Sequence, residues 1–341
     1  MSRGCRNPFH FTNTLAHLHM GLLGAQAIVF ITNSLTHMTP DVATRLNVLV
    51  ESIKAHHFDV DAEACRLRTP EVLASFDKRR PVSWCLAAMG DSLVRIRLLL
   101  EQNFNFVETI GVVAVSRYLF ELSVWLLLFE QDERYGLVYY GQLLETQQKY
   151  FADTLAQIRR EVELLRHFER KEQDFQEVLV SRAGPPEDRG DGLRLAARMI
   201  DAEAARKFSL YVDQAKRNGY GFQAHLVEKK AVTQAEAALR ELSAEQAFFE
   251  VNVLPGIEGL VLANGKKKRW EWKKMAERVN LLPEYDYIYA FASKLLHATP
   301  ASITTDQKNL EPEEMLIFLK YIDVKTTDIL DLARRYPRHA A

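Results

Sequence analysis

Cysteine is scarce: Cys5, Cys65 and Cys85 are the three in 341 residues, with no C-x-x-C pair. That spacing excludes a disulfide framework and a zinc cage, and it fits a reducing cytoplasm, where we expect the protein to be. Glycine (15) and proline (11) are also few, which disfavours a turn-rich all-β fold. Neither sign of charge is in excess: 44 Lys and Arg stand against 45 Asp and Glu, a net charge of −1. Nothing therefore steers the whole chain toward nucleic acid or an anionic membrane. There is no Walker A loop, no G-x-G-x-x-G and no G-x-S-x-G elbow. H-E-x-x-H and the paired E-x-x-H of di-iron bundles are missing too. His17 and His19 point to different sides of a helix, and the adjacent His56 and His57 cannot chelate together. No metal site and no cofactor are expected.

An uninterrupted apolar core, the mark of a cleavable signal peptide, is lacking as well; Arg3, Arg6, His10, His17 and His19 break up the N-terminus. Two runs are long enough to be mistaken for membrane spans. Leu15 to Ile31 carries His17, His19 and Gln26. Val112 to Phe129 carries Arg117 and Glu121, and a charge at a bilayer centre costs at least ~2.5–3.5 kcal/mol. Both read as buried helices of a soluble protein with no membrane partner.

What is present is helical periodicity over an ordinary globular composition, 48% apolar and 26% charged. The length predicts two domains, or one domain with a large insertion. Thr39-Pro40-Asp41, Thr69-Pro70-Glu71, Arg80-Pro81 and Glu311-Pro312-Glu313 are helix-start signals. Asn103 to Asn105 breaks the third of these helices. A helix from about 106 to 129 follows, apolar almost all round, as expected at the centre of a bundle. Then the character changes. Leu144, Phe151, Ile158 and Leu165 recur every seven residues as a narrow seam in a charged helix, widened by Leu155 and Val162. Ser181 to Gly192, rich in Gly and Pro, predicts a loop. A second charged helix is expected over 193–216, and a third from beyond Gly221 to about Glu250. Val251 to Ala263 reads as a connection, Pro283 as the start of a helix reaching His297, and Thr299-Pro300 as its end.

The expected fold is therefore all-α: a compact helical bundle core interrupted by a long charged antiparallel helical hairpin or arm. The core comprises 1–136 and 251–333, the arm 137–250, and a tail 334–341. The seam makes the arm a surface for self-association or for a protein partner.

Arg117 and Glu121, one turn apart on the most apolar helix, are the main chemical signal. They read either as an ion pair that organises the bundle or as part of a site. Tyr285, Tyr289, Ser293 and His297 recur every four residues and give a mostly apolar helix one polar face. Brought against Arg117 and Glu121, that face would form an internal pocket with an anion-binding Arg, a carboxylate, hydroxyls and an imidazole. His297 reads equally as a cap on its own helix. Lys266, Lys267, Lys268 and Arg269, interleaved with Trp270 and Trp272, could contact phosphates and stack on bases of RNA, or form a solvated loop.

Val115 to Glu121, with Phe129 to Tyr140, resembles the R-x-x-x-E helix of a bacterial family known as domain of unknown function 5677. Trp272 to Ser302 resembles that family's second pattern: a Trp-containing helix, then Tyr-x-x-x-Tyr-x-x-x-Ser-x-x-x-His, then a small residue and Pro. Together the matches cover about a sixth of the chain. The resemblance implies an all-α intracellular protein with Arg117, Glu121, Ser293 and His297 as its polar signature, and brings no activity with it. A looser analogy is to HEPN helical nucleases, which cleave RNA without metal through an R-x(4–6)-H motif. Arg334 to His339 matches its letters, and Arg117 with His297 would be a split version. Three functional expectations follow: an interaction or regulatory protein with an internal polar pocket, a metal-independent RNA nuclease acting as toxin or defence effector, and a sensor of a small anionic ligand.

Overall fold

The computed structural model describes residues 40–103, 108–181, 186–263, 266–267, 269–297 and 310–336. Leu15 to Ile31, Lys268, Thr299-Pro300 and His339 lie outside them. The fold is all-α. Its only strands among the described residues are a two-residue antiparallel pair, β1 (Leu262–Ala263) and β2 (Lys266–Lys267). β1 closes the stretch expected as a plain connection, which also holds a 3₁₀ turn and one short helix, and β2 lies in the basic run that follows.

The few prolines are concentrated at helix starts. Pro40, Pro70, Pro81, Pro186 and Pro312 each occupy a first helical residue. There the missing N–H would have had no partner anyway and the fixed φ already suits a helix.

By its internal contacts the chain divides into two units, 141–251 and the remainder. In the first unit, α1 (Pro40–Leu67) packs on α3 (Pro81–Asn103), the short α2 (Pro70–Ala74) lying between them in sequence. α4 (Thr109–Gln131) packs on α3 and on the last helix, Pro312–Arg335, which also lies along α1. Ile53, Met89, Leu93, Phe120, Leu126, Phe318 and Ile322 fill the space between them, all essentially inaccessible. α4 alone among the described helices is long and apolar enough to cross a membrane, and more than half of its most apolar window is buried by its neighbours. Helix α5 (Tyr135–Ser181) begins in this unit at a close approach. A β-carbon on Gly136 would stand 2.4 Å from the Pro81 carbonyl oxygen and 2.8 Å from Cys85 Sγ.

The second unit takes up the rest of α5, then α6 (Pro186–Ala204), α7 (Val212–Asn218), α8 (Tyr220–Leu226), a π turn (Val227–Val232) and α9 (Thr233–Asn252). Leu144, Ile158 and Leu165 of the seam are buried, and Phe151 is half-buried. Two expectations fail here. The predicted loop over 181–192 is helical from Pro186, because Pro186 and Glu187 favour a first turn. Gly192 is in that helix for packing: a β-carbon there would stand 2.9 Å from Leu179 Cδ2. The predicted helix over 193–216 is broken after Ala204. The Ser209 hydroxyl accepts hydrogen bonds from the Tyr211 and Val212 N–H groups (both 3.2 Å) and starts α7 anew.

In the first unit again, α10 (Glu258–Val261), the β pair and α11 (Trp272–Arg278) precede a continuous rod. The rod is α12 (Leu282–Glu284), a π turn (Tyr285–Tyr289) and α13 (Ala290–Leu296), and it packs on α4. The last helix is α14 (Pro312–Arg335). A capping box between Glu311 and Glu314 opens it.

Candidate functional site

The expected juxtaposition of α4 with the tyrosine helix is present. Arg117 Nε donates to Glu121 Oε1 at 3.0 Å, and Arg117 Nη2 donates to the Tyr289 hydroxyl at 3.4 Å. The guanidinium carbon also lies 4.8 Å from the Tyr289 ring centre, a cation–π distance. The pair is not sealed: the Arg117 and Glu121 side chains keep 26% and 28% of their exposure.

The π turn explains how the tyrosines are presented. On a regular α-helix, residues four apart drift by about 40°. A wider π turn reduces that drift, and such turns concentrate at functional sites. Tyr285 and Tyr289 accordingly stack, ring centres 4.9 Å apart at 18°. Phe120 packs against both, and Trp272 lies 6.3 Å from Tyr289. Burial raises the Tyr289 hydroxyl above its ordinary pKa, Glu121 and Tyr285 add to this, and Arg117 opposes it. Next to Arg117 in sequence, burial pushes the Tyr118 hydroxyl up to about 12. Both are neutral donors at physiological pH.

The structure thus brings Arg117, Glu121, Tyr285 and Tyr289 together. Ser293 lies half-buried one turn further along α13, and His297 caps the end of that helix, exposed and in an extended conformation. In the other arginine motif, Arg334 bonds Asp59 and Asp331, and Arg335 bonds Glu130.

The basic stretch is divided. Lys266 and Lys267 form β2, and Arg269 is exposed. Trp270 lies face to face with Trp125, ring centres 4.2 Å apart at 12°, and meets Trp272 edge-on. One indole face is therefore already covered by α4, and the Trp270 Nε1–H is buried without an acceptor.

Sequence reasoning missed a second polar centre. Asp323 on α14 accepts from Ser52 Oγ (2.9 Å), pairs with His56 Nε2 (3.0 Å) and meets Lys320 Nζ (3.2 Å). Burial alone would raise its carboxyl; the bonds from Ser52, His56 and Lys320 outweigh that and hold it below its ordinary pKa. Nearby, Lys325 Nζ pairs with Glu284 Oε1 (3.0 Å), and the Tyr321 hydroxyl donates to Glu284 Oε2 (3.0 Å). The signal available was Ser52 and His56 one turn apart on α1. A cleft also lies elsewhere, lined by Leu67, Val72, Phe76 and Ser83, with an Arg68–Asp91 pair at 2.9 Å. Among the described residues, no group of three or more His, Cys, Asp or Glu is placed to hold a metal ion.

The likeness to domain of unknown function 5677 rests on the two motifs alone, since no family model, no curated protein and no solved structure matches this chain.

Proposed function

We propose that this is an interaction or regulatory protein whose helical core binds a small anionic ligand, of carboxylate or phosphate chemistry, at Arg117. One observation carries the reading. A guanidinium has five N–H donors, and Arg117 uses two of them, toward Glu121 and Tyr289. The carboxylate on Nε and the ring beneath fix the orientation of the group. Three N–H donors on a partly exposed guanidinium are left for a planar or tetrahedral anion, the geometry arginine binds best. The Tyr289 hydroxyl, kept neutral, is a further donor at the same place.

The test is a thermal-shift and calorimetric screen of phosphate, nucleotides and small carboxylates. A ligand at a hundred times its dissociation constant should stabilise the wild type by about 2.7 kcal/mol. Arg117→Met should abolish that shift. Tyr289→Phe, which removes only a hydroxyl, should weaken the same ligand without unfolding the protein. A wild-type protein indifferent to every small anion, or an Arg117→Met variant that responds equally, overturns the reading.

A further inference from the structure

We infer that two copies of this chain associate through the tip of the charged arm, the α5 end of one copy lying on α6 of the other. The inference supplies a partner for the interaction side of the reading above. It stands independently of the anion site, because association and ligand binding are measured separately.

The tip is a pair of antiparallel helices whose register is set by two contacts. Gly192 of α6 lies against Leu179 of α5, and Lys171 Nζ pairs with Glu203 Oε2 at 2.6 Å. Going outward along α5 is therefore going backward along α6. Leu195 stands about level with Val178, Met199 with Phe175, and Arg198 with Asp174. At 100° per residue, Phe175 lies on the line through Lys171 and Leu179, and the other five side chains are offset from the line of contact in the same rotational sense. In an antiparallel pair, offsets of the same sense fall on the same side. That side is uncovered: Phe175 is 38% exposed, Val178 49%, Leu195 60% and Met199 57%.

The charges at its edges decide what covers it. Asp174 sits on the outer edge of α5 and Arg198 on the outer edge of α6, at the same height. Both are exposed, and neither makes an ion pair or hydrogen bond within the chain among the described residues. A two-fold axis parallel to the arm lays each α5 on the other copy's α6, with both tips at the same end. Val178 then faces the second copy's Leu195, Phe175 its Met199, and Asp174 its Arg198, twice per dimer. A two-fold axis across the arm would instead set α5 on α5 and carry Asp174 away from its complement. Helix pairs are closed this way in isologous four-helix interfaces. Four large apolar side chains per copy are fewer than a standard interface supplies, so the dimer is weak, with a dissociation constant on the order of micromolar.

The experiment is sedimentation equilibrium of the full chain from sub-micromolar to a few hundred micromolar. The wild type should pass from monomer to dimer. Asp174→Arg and Arg198→Asp should each weaken association by about ten-fold or more, since like charges then meet at both edges. Mixed together, the two single variants should form a heterodimer tighter than either homodimer, because both edges regain opposite charges. Circular dichroism of each variant checks that the arm is intact, and Leu195→Glu removes association through the apolar centre. A wild type that stays monomeric at the highest concentration shows that something other than a second copy covers this face, and overturns the proposal. So does a dimer indifferent to the reversals, or a mixture no tighter than its components.

Discussion

The core and the arm bury their carboxylates differently. In the core the buried carboxylate, Asp323, meets the Lys320 ammonium and bonds Ser52 and His56. In the arm, Glu161 keeps 1% of its exposure, and its bonds come from the Ser209 hydroxyl and the Gln157 amide (2.8 Å). The apolar parts differ in the same sense. The core is filled mainly by leucine and valine, with isoleucine and phenylalanine among them. The arm's buried cluster has alanine at five of its thirteen positions, Ala204, Ala215, Ala224, Ala231 and Ala235. Small residues let helices approach closely, and the few large side chains then carry most of the buried area. Charged pairs join distant segments in both units, Lys325 to Glu284 in the core and Lys171 to Glu203 in the arm, but the arm's interior depends on a few large residues and a pinned turn.

The largest effect should come from removing one of those large residues. Phe168 is fully buried and packs on Tyr220 at 5.3 Å. Phe168→Ala should destabilise the arm by about 3–5 kcal/mol, read by urea unfolding. Phe120→Ala in the core should fall in the same range and also release the Tyr285–Tyr289 stack. An arm variant costing under ~1 kcal/mol would break the contrast, because Phe168 would then be one contributor among many.

Next comes the core's charged knot. Asp323→Asn should cost about 1–3 kcal/mol at neutral pH through weakened charged hydrogen bonds. The carboxyl's pKa is lowered on folding, so its contribution is fully present above the unfolded value of ~3.9. It is lost as pH falls through the lower folded value. The stability gap between wild type and variant should therefore be widest above about pH 4 and close on further acidification. A gap that ignores pH would mean the carboxylate's charge is not what holds α1 to α14.

Ser209→Ala tests the arm's counterpart. Its hydroxyl donates to Glu161 and accepts from two backbone N–H groups. Its loss should cost about 1–2 kcal/mol. Because no titratable partner is removed, that cost should be nearly constant between pH 5 and 8 in chemical denaturation.

Local chemistry was legible in the sequence; what depends on distant partners was not. Scarce Gly and Pro with helical periodicity pointed to an all-α chain, and Arg117 with Glu121 could be paired because an α-helix brings residues four apart together. The four-residue spacing of Tyr285 and Tyr289 was readable too, but the π turn that stacks them was not, since nothing in their side chains announces an extra residue in a turn. Gly192 was read as a loop residue because a glycine in a helix looks like a breaker until the side chain packed against it, Leu179, is known. Ser52 and His56 are ordinary on α1 by themselves. The acid that gives them meaning is 267 residues beyond His56 in sequence, where no periodicity could reach it.

The smallest effect is chemical, and it asks whether core and arm open separately. Burial pushes the Cys85 thiol up to about 12, with a Tyr336 hydrogen bond pulling the other way, whereas Cys65 is exposed. At pH 8 roughly one Cys85 in ten thousand is then a thiolate, the reactive form. In a Cys5→Ser background, a disulfide reagent should label Cys65 at once and Cys85 only when the core opens. Each unit has its own buried cluster, and local openings follow such clusters. In a Phe168→Ala background, then, Cys85 labelling should stay at its wild-type rate in urea that already unfolds the arm. Equal acceleration of Cys85 by the arm substitution would show one cooperative unit, and the difference between core and arm would be one of composition rather than of stability.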